Sequence, residues 1–234
     1  MKAEIKAVKN KRIKEENKMN TVKKFVLGLV IGIIGVVAAT AQQTQTNNKL
    51  FKAVPVMKRT AAKAGVGGEY LNSYFLGYDL EAAKEHIRKN ETRDALAQLA
   101  FLWDELYLQP EAAQVEAVLR AVVRGQGTAD MKIAKLDSVA TSLDTRLKPD
   151  HKWYYGVGKA YSQMTISGNN QDYTTMTMKL VELGKFGKTA PTGTPAELVA
   201  AMAKIGELVA KPNLSDDDVA VLKAQLETID KVIG

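Results

Sequence analysis

The sequence predicts an all-α protein, a single multi-helix bundle of about seven or eight amphipathic helices that follows an N-terminal signal peptide and a flexible arm. From residue 69 onward, apolar residues recur at intervals of three and four, and no sustained period-two alternation appears. The chain contains no Cys, and residues 69–234 are numerous enough to bury one continuous core without disulfides. We therefore expect one helical domain over residues 69–234.

The first helices are predicted from apolar stripes and end signals. The first covers residues 69–89, with a bend near Gly77, and Asn90 is expected to cap the second, which extends to about residue 107. Pro110 suits the first turn of the third, because a proline there loses no helical hydrogen bond. Residues 125–127, Gly-Gln-Gly, are expected to end that third helix.

The later helices have clearer start signals. Thr128 precedes the fourth, Pro149 opens the fifth, and the polar residues 167–170 separate the fifth from the sixth. The last two begin at Thr194-Pro195-Ala196-Glu197, which matches a capping box, and at Ser215, which is followed by three Asp residues. These Asp residues indicate a helix start, because they lack the alternating spacing of an EF-hand calcium loop.

The N-terminal 41 residues resemble a secretory signal in their pattern. Residues 25–41 are uncharged and largely apolar, follow two Lys residues, and end in Ala-Thr-Ala. The apolar part is shorter than the roughly 20 residues that a membrane-spanning helix needs. We expect cleavage near Ala41 and a periplasmic or secreted mature chain; the alternative is an uncleaved membrane anchor.

Residues 1–18 are an unusual beginning for a signal peptide, because they are dense in both charge signs, whereas the segment from Met19 has the ordinary form. Lys14 and Glu15 can be encoded by a purine run of the kind that precedes a bacterial start codon. The sequence therefore suggests a bacterial protein with a true start at Met19.

The net charge of +7 resides mainly in the N-terminal region. Residues 42–68 form a basic arm with five Lys or Arg and no acid, whereas residues 69–234 carry 19 basic and 23 acidic residues. This balance disfavours nucleic-acid binding, which needs a basic face on the body. The arm residues Lys52, Lys58, Arg59 and Lys63 are candidates for contact with an anionic envelope surface or another envelope protein.

Aromatic residues supply the candidate binding groove. Tyr70, Tyr74 and Tyr78 lie at intervals of four and share one stripe of the first helix. Trp153 and Tyr154 of the fifth helix could form an opposite wall for a peptide, glycan or lipid. The alternative is that these side chains pack at the edge of the core.

Catalytic and metal-binding signals are weak. Asp104 and Glu105 lie beside aromatic residues, a pattern that a glycosidase could use but that many amphipathic helices share. With only His86 and His151, far apart in sequence, and no Cys, we predict no metal site and no cofactor.

The sequence thus favours an exported, non-enzymatic helical protein with a binding or structural role at the envelope. The alternatives are a cell-wall polysaccharide hydrolase that uses a helix carboxylate and a helical protein-interaction scaffold. The sequence assigns no oligomeric state.

Overall fold

The computed structural model describes residues 68–233, with side chains from residue 72. This part of the chain is all-helical and contains no strand. The predicted signal peptide, the start at Met19, the arm with Lys52, Lys58, Arg59 and Lys63, and the side chain of Tyr70 lie outside the described residues. The eight helices are α1 (Gly68–Arg88), α2 (Thr92–Leu106), α3 (Ala112–Val123), α4 (Ala129–Arg146), α5 (Pro149–Asn169), α6 (Tyr173–Phe186), α7 (Ala196–Val209) and α8 (Asp216–Ile233).

Several helix starts agree with the sequence signals. Thr128 caps α4, since its Oγ1 accepts a hydrogen bond from the backbone N–H of Met131 at 3.2 Å. Pro149 is the first residue of α5. Ser215 caps α8, because its Oγ accepts from the backbone N–H of Asp218 at 3.0 Å.

Four other signals were wrong in detail. Residues 167–169, expected to separate the fifth helix from the sixth, lie within α5. Asn90 does not cap α2 but adopts a positive φ of 56° in the turn before Glu91, the observed N-cap residue. Pro110 precedes α3, which begins at Ala112. Thr194 does not cap α7, because its hydroxyl instead accepts from Tyr154, and Pro195 occupies the N-cap position. In the last case a tertiary contact replaces the local one.

The buried apolar side chains form two clusters, which differs from the single continuous core expected from the sequence. The N-terminal core comprises side chains from α1 to α4 and Tyr155 of α5. The C-terminal core comprises the opposite face of α1 and side chains from α5 to α8. Helix α1 therefore belongs to both cores.

The plane between the cores is occupied by a close crossing of α1 and α5. A Cβ on Gly158 would collide with the backbone of Tyr74, whose carbonyl carbon would be 2.8 Å away. A Cβ on Gly77 would lie 2.9 Å from the backbone nitrogen of Lys159. Gly77 and Gly158 have no side chains, so at this crossing the backbones of α1 and α5 lie against each other. We attribute the division of the core to this backbone contact, which leaves no room there for apolar side chains. This close approach accounts for Gly77 without a bend, and the bend expected near Gly77 stays a prediction.

None of the described helices combines the length and apolar character needed to cross a membrane.

Candidate functional site

The aromatic residues predicted to form a groove come together, but in the interior. Tyr74 is 0% exposed, and its ring stacks on that of Tyr78, with centroids 6.4 Å apart and planes 15° from parallel. Trp153 and Tyr154 are buried in the same C-terminal core. The pKa of the Tyr74 hydroxyl is raised well above its ordinary value, mainly by burial and to a smaller extent by the neighbouring Tyr78 and Asp230.

The polar atoms of this cluster bond mainly inside the protein. The indole N–H of Trp153 donates to the carbonyl oxygen of Phe186 at 3.2 Å, and the Tyr154 hydroxyl donates to Thr194 Oγ1 at 3.3 Å. A ligand would reach these rings only if the helices separated. Core packing accounts for the arrangement, and the binding role of these residues stays a prediction.

The two candidate catalytic carboxylates lie in different environments. Asp104 is exposed to solvent, whereas Glu105 is partly buried and lines a cavity of about 320 Å³ between α1, α2, α4 and α5. Ser73, Arg146 and His151 line the same cavity. The structure therefore separates the predicted pair and gives Glu105 polar neighbours from distant parts of the sequence.

Ser73 and His151 are hydrogen-bonded within this cavity. Ser73 Oγ lies 2.9 Å from His151 Nδ1, and Ser73 is buried whereas the imidazole is partly exposed. This pair has the proximity of a nucleophile and a base, although Ser73 lies inside helix α1, where backbone N–H groups are already bonded within the helix. Sequence reasoning missed the pair because 78 residues separate its members.

The residues that could hold a metal ion lie at the corner between α1 and α2. His86, Glu91 and Asp94 each offer a ligand atom, and these atoms lie within 4.8 Å of one another. The donor set of one imidazole and two carboxylates suits Zn²⁺ or Mn²⁺. His86 Nδ1 and Glu91 Oε2 are hydrogen-bonded to each other at 2.6 Å, which accounts for the proximity of these two residues without a metal. The turn brings these residues together, so helix spacing did not reveal them.

Two adjoining cavities form a site lined by several basic residues. They have volumes of about 330 and about 320 Å³ and share Gly127 and Lys132. Within the part of the chain that the structure describes, no Asp or Glu lines either one. We name them the cationic cavities, after the five basic residues that line them: Arg88, Arg120, Arg124, Lys132 and Lys135.

Two of these five basic residues already have acidic partners. Arg120 bonds to Glu116 at 2.5 Å, and Arg88 lies 3.3 Å from Glu85. The other three, Arg124, Lys132 and Lys135, form no ion pair with any residue from 72 to 233. Their charge therefore remains available to an anionic ligand.

The turn between α3 and α4 positions the cationic cavities. Gly125 and Gly127 have positive φ values of 64° and 75°, a conformation that glycine adopts at little cost. The backbone N–H of Gln126 donates to the carbonyl of Ala121 at 2.8 Å, which closes the end of α3. The turn was predictable from the sequence but the site was not, because its basic residues come from α1, from α3 and the residue after it, and from α4.

The chain matches no protein-family model, and comparisons with curated proteins and with solved structures likewise give no significant match.

Proposed function

We propose that this chain is an exported, envelope-associated helical binding protein that recognises an anionic partner. The observation that carries the proposal is the pair of cationic cavities, in which five basic residues gather on a body with more acidic than basic residues. Basic residues so concentrated attract anions and repel cations. The five basic residues of the arm favour the same class of partner.

Export is supported by composition. The uncharged residues 25–41 behind two Lys residues, together with the absence of Cys from the whole chain, suit a signal peptide followed by a mature protein without disulfides or a cysteine-linked lipid. Cleavage near Ala41 would leave the arm at the N-terminus of the mature chain, in the periplasm or outside the cell. The arm would then hold the helical body near an anionic surface.

The test is sedimentation of the full-length chain with envelope membranes. We expect association that weakens as salt rises, because the Debye length falls from about 10 Å at 0.1 M to about 3 Å at 1 M. Replacing Lys52, Lys58, Arg59 and Lys63 by Gln should weaken it further. A matched variant with four exposed basic residues replaced by Gln, at Lys148, Lys185, Lys223 and Lys231, corrects for net charge. Association that ignores both salt and the arm substitutions would refute the proposal.

The location is tested separately by the intact mass of the protein recovered from a bacterial host. A mass matching a chain that begins at residue 42 supports cleavage, whereas the mass of the chain from Met19 supports the membrane anchor.

A second candidate function is hydrolysis of a cell-wall polysaccharide. It is favoured by the cavity that Glu105 shares with Ser73 and His151, since an acid, a base and a hydroxyl lie around one space. Glycosidases use two carboxylates about 5 to 10 Å apart. Among the described residues Glu105 is the one carboxylate that lines this cavity, so the second carboxylate of a glycosidase is missing from it.

The hydrolase is tested by incubating the chain with purified cell-wall polysaccharide and measuring the reducing ends released. Glu105→Gln should abolish release while the circular dichroism spectrum stays unchanged, and the exposed Asp104→Asn serves as the matched control. Equal release by both variants would contradict the assignment to Glu105.

A further inference from the structure

We infer that the cationic cavities bind a phosphate ester, with Arg124, Lys132 and Lys135 holding the phosphate and the apolar floor holding the group esterified to it. The inference rests on the proposed function, because it names the chemical class of the anionic partner. The basic residues that line this site are nevertheless different from those of the arm.

The charge at the site exceeds what a single carboxylate would match. Arg124, Lys132 and Lys135 place three positive charges without acidic partners among the described residues around adjoining spaces. A phosphate monoester carries about −1.5 to −2 at neutral pH and offers three acceptor oxygens. A guanidinium matches two of these oxygens at once, and an ammonium can donate to a third.

The shape of the site suits a small organic phosphate better than a bare ion. Each cavity has about 320 to 330 Å³, which lies at the lower end of the range for small-molecule sites. Ala117, Val118 and Ala121 of α3 and Met131 of α4 line one of them. These side chains offer an apolar surface beside the basic residues, as a short esterified group requires.

The nearest competing occupants are excluded by charge. The arm, residues 42–68, has five basic residues and no acid, so its charge disfavours binding at a basic site. Glu116 and Glu85 already bond to Arg120 and Arg88, respectively. Arg124 and Lys135 are exposed and Lys132 is partly exposed, so the charges of these three residues are open to an anionic ligand.

The test is titration of the full-length chain with glycerol 3-phosphate and with inorganic phosphate, followed by calorimetry and by backbone amide NMR. We expect the largest amide shifts at Gly125, Gly127 and Lys132, and tighter binding of the ester than of inorganic phosphate. The triple variant Arg124→Gln, Lys132→Gln, Lys135→Gln should weaken binding of the ester at least about tenfold.

The matched control replaces three exposed lysines of the other half of the molecule, in the triple variant Lys185→Gln, Lys223→Gln, Lys231→Gln, which changes net charge equally. It should leave the affinity for the ester within about twofold of the unchanged chain. Loss of affinity in both triple variants would show a general charge effect and overturn the inference, as would amide shifts confined to other parts of the chain.

Vesicles distinguish a free phosphate ester from a lipid headgroup. If the ligand is a headgroup, phosphatidylglycerol vesicles should bind the full-length chain and the triple cavity variant should bind them less, whereas phosphatidylcholine vesicles should bind neither. If soluble ester binds and vesicles do not, the inference stands and envelope association fails. If vesicles bind the chain and the cavity variant equally, and soluble ester does not bind, the inference fails, and envelope association stands on the basic arm instead of the cavities.

Discussion

The two cores of this protein are built from different side chains. The N-terminal core consists almost entirely of Leu, Val, Ile and Ala, with Tyr155 as its one buried aromatic residue. The C-terminal core contains most of the buried aromatic and methionine side chains, among them Tyr74, Trp153 and Met164. The cationic cavities and the Glu105 cavity are all lined by helices of the N-terminal core. The aromatic-rich core is therefore not the one whose helices line these three cavities.

The strongest test of this comparison is a cavity in the aliphatic core. Leu99 is fully buried, so Leu99→Ala should lower the free energy of unfolding by about 3 kcal/mol through lost apolar contact and the space left behind. Each half contains one Trp, Trp103 beside the N-terminal core and Trp153 in the C-terminal core. Because α1 belongs to both cores, both tryptophan signals should shift to the same lower midpoint in urea.

Variants that keep only one of the two tryptophans separate the two signals. The control is Leu108→Ala, which should change stability little because that side chain is 76% exposed. Two separate transitions would show that the cores unfold independently and that α1 does not couple them.

The next largest effect is expected at the crossing between the cores. Gly158→Ala should cost about 2 to 3 kcal/mol, because the new Cβ meets the backbone of Tyr74, which cannot rotate away as a side chain could. Gly193→Ala is the comparison, since nothing lies within 4 Å of that position and the cost, about 1 kcal/mol, arises from its φ of 89° alone. Thermal melting of both variants checks the order, and a smaller loss at Gly158 would show that α1 and α5 can move apart.

A smaller, pH-dependent effect is expected at the polar edge of the C-terminal core. Burial raises the pKa of the Asp230 carboxyl above its ordinary value of 3.8. The hydrogen bond from Tyr161 opposes this shift, whereas the charge of Glu227 adds to it. The native state thus binds this proton more tightly than the unfolded chain does. The contribution of Asp230 to stability is therefore largest below pH 3.8, and it is lost as the pH rises through the raised pKa of the folded state.

The Asp230→Asn variant has no carboxyl that ionises at this position. Its melting temperature, compared with that of the unchanged chain, should therefore rise as the pH increases from acidic to neutral. Glu227→Gln, on the exposed side of α8, should reproduce only a minor part of that change. A constant difference across this pH range would contradict the assigned cause.

The smallest effects compare one helix cap from each half. Thr128→Ala in α4 and Ser215→Ala in α8 each remove an acceptor for a backbone N–H, at a cost of about 1 kcal/mol. The loss should be the greater at Ser215, because Asp218 in turn accepts from the backbone N–H of Ser215 at 3.0 Å, and the two bonds support each other. Urea unfolding of the two variants measures the difference, and equal losses would indicate that the reciprocal bond adds nothing.

Much of the helical pattern could be predicted because it depends on local chemistry. Thr128, Pro149 and Ser215 begin helices for reasons contained within one turn of chain. The prediction was wrong at Thr194, which was expected to cap a helix. Its hydroxyl instead accepts a hydrogen bond from Tyr154, 40 residues earlier in the chain. It was also wrong about a single core, since no periodicity shows that Gly77 and Gly158 bring two helix backbones into contact.

The candidate sites were less predictable for the same reason. Glu105 was identified from its aromatic neighbours, yet its cavity partners Ser73 and His151 belong to α1 and α5. The basic residues of the cationic cavities come from three helices, and only the turn at residues 125–127 was visible beforehand. The sequence instead suggested a groove at Tyr74 and Tyr78, with packing at the core edge as the alternative, and the fold buries both side chains.

The sequence by itself determined the all-α class, the absence of disulfides, the positions of several helix starts and the concentration of positive charge before residue 69, because these follow from composition and from interactions within a few residues. Only the tertiary structure decided which apolar stripes are fully enclosed, how the core divides at the α1–α5 crossing, and where unpaired basic residues meet. Those features depend on contacts between distant segments, and a one-dimensional pattern does not specify such distances.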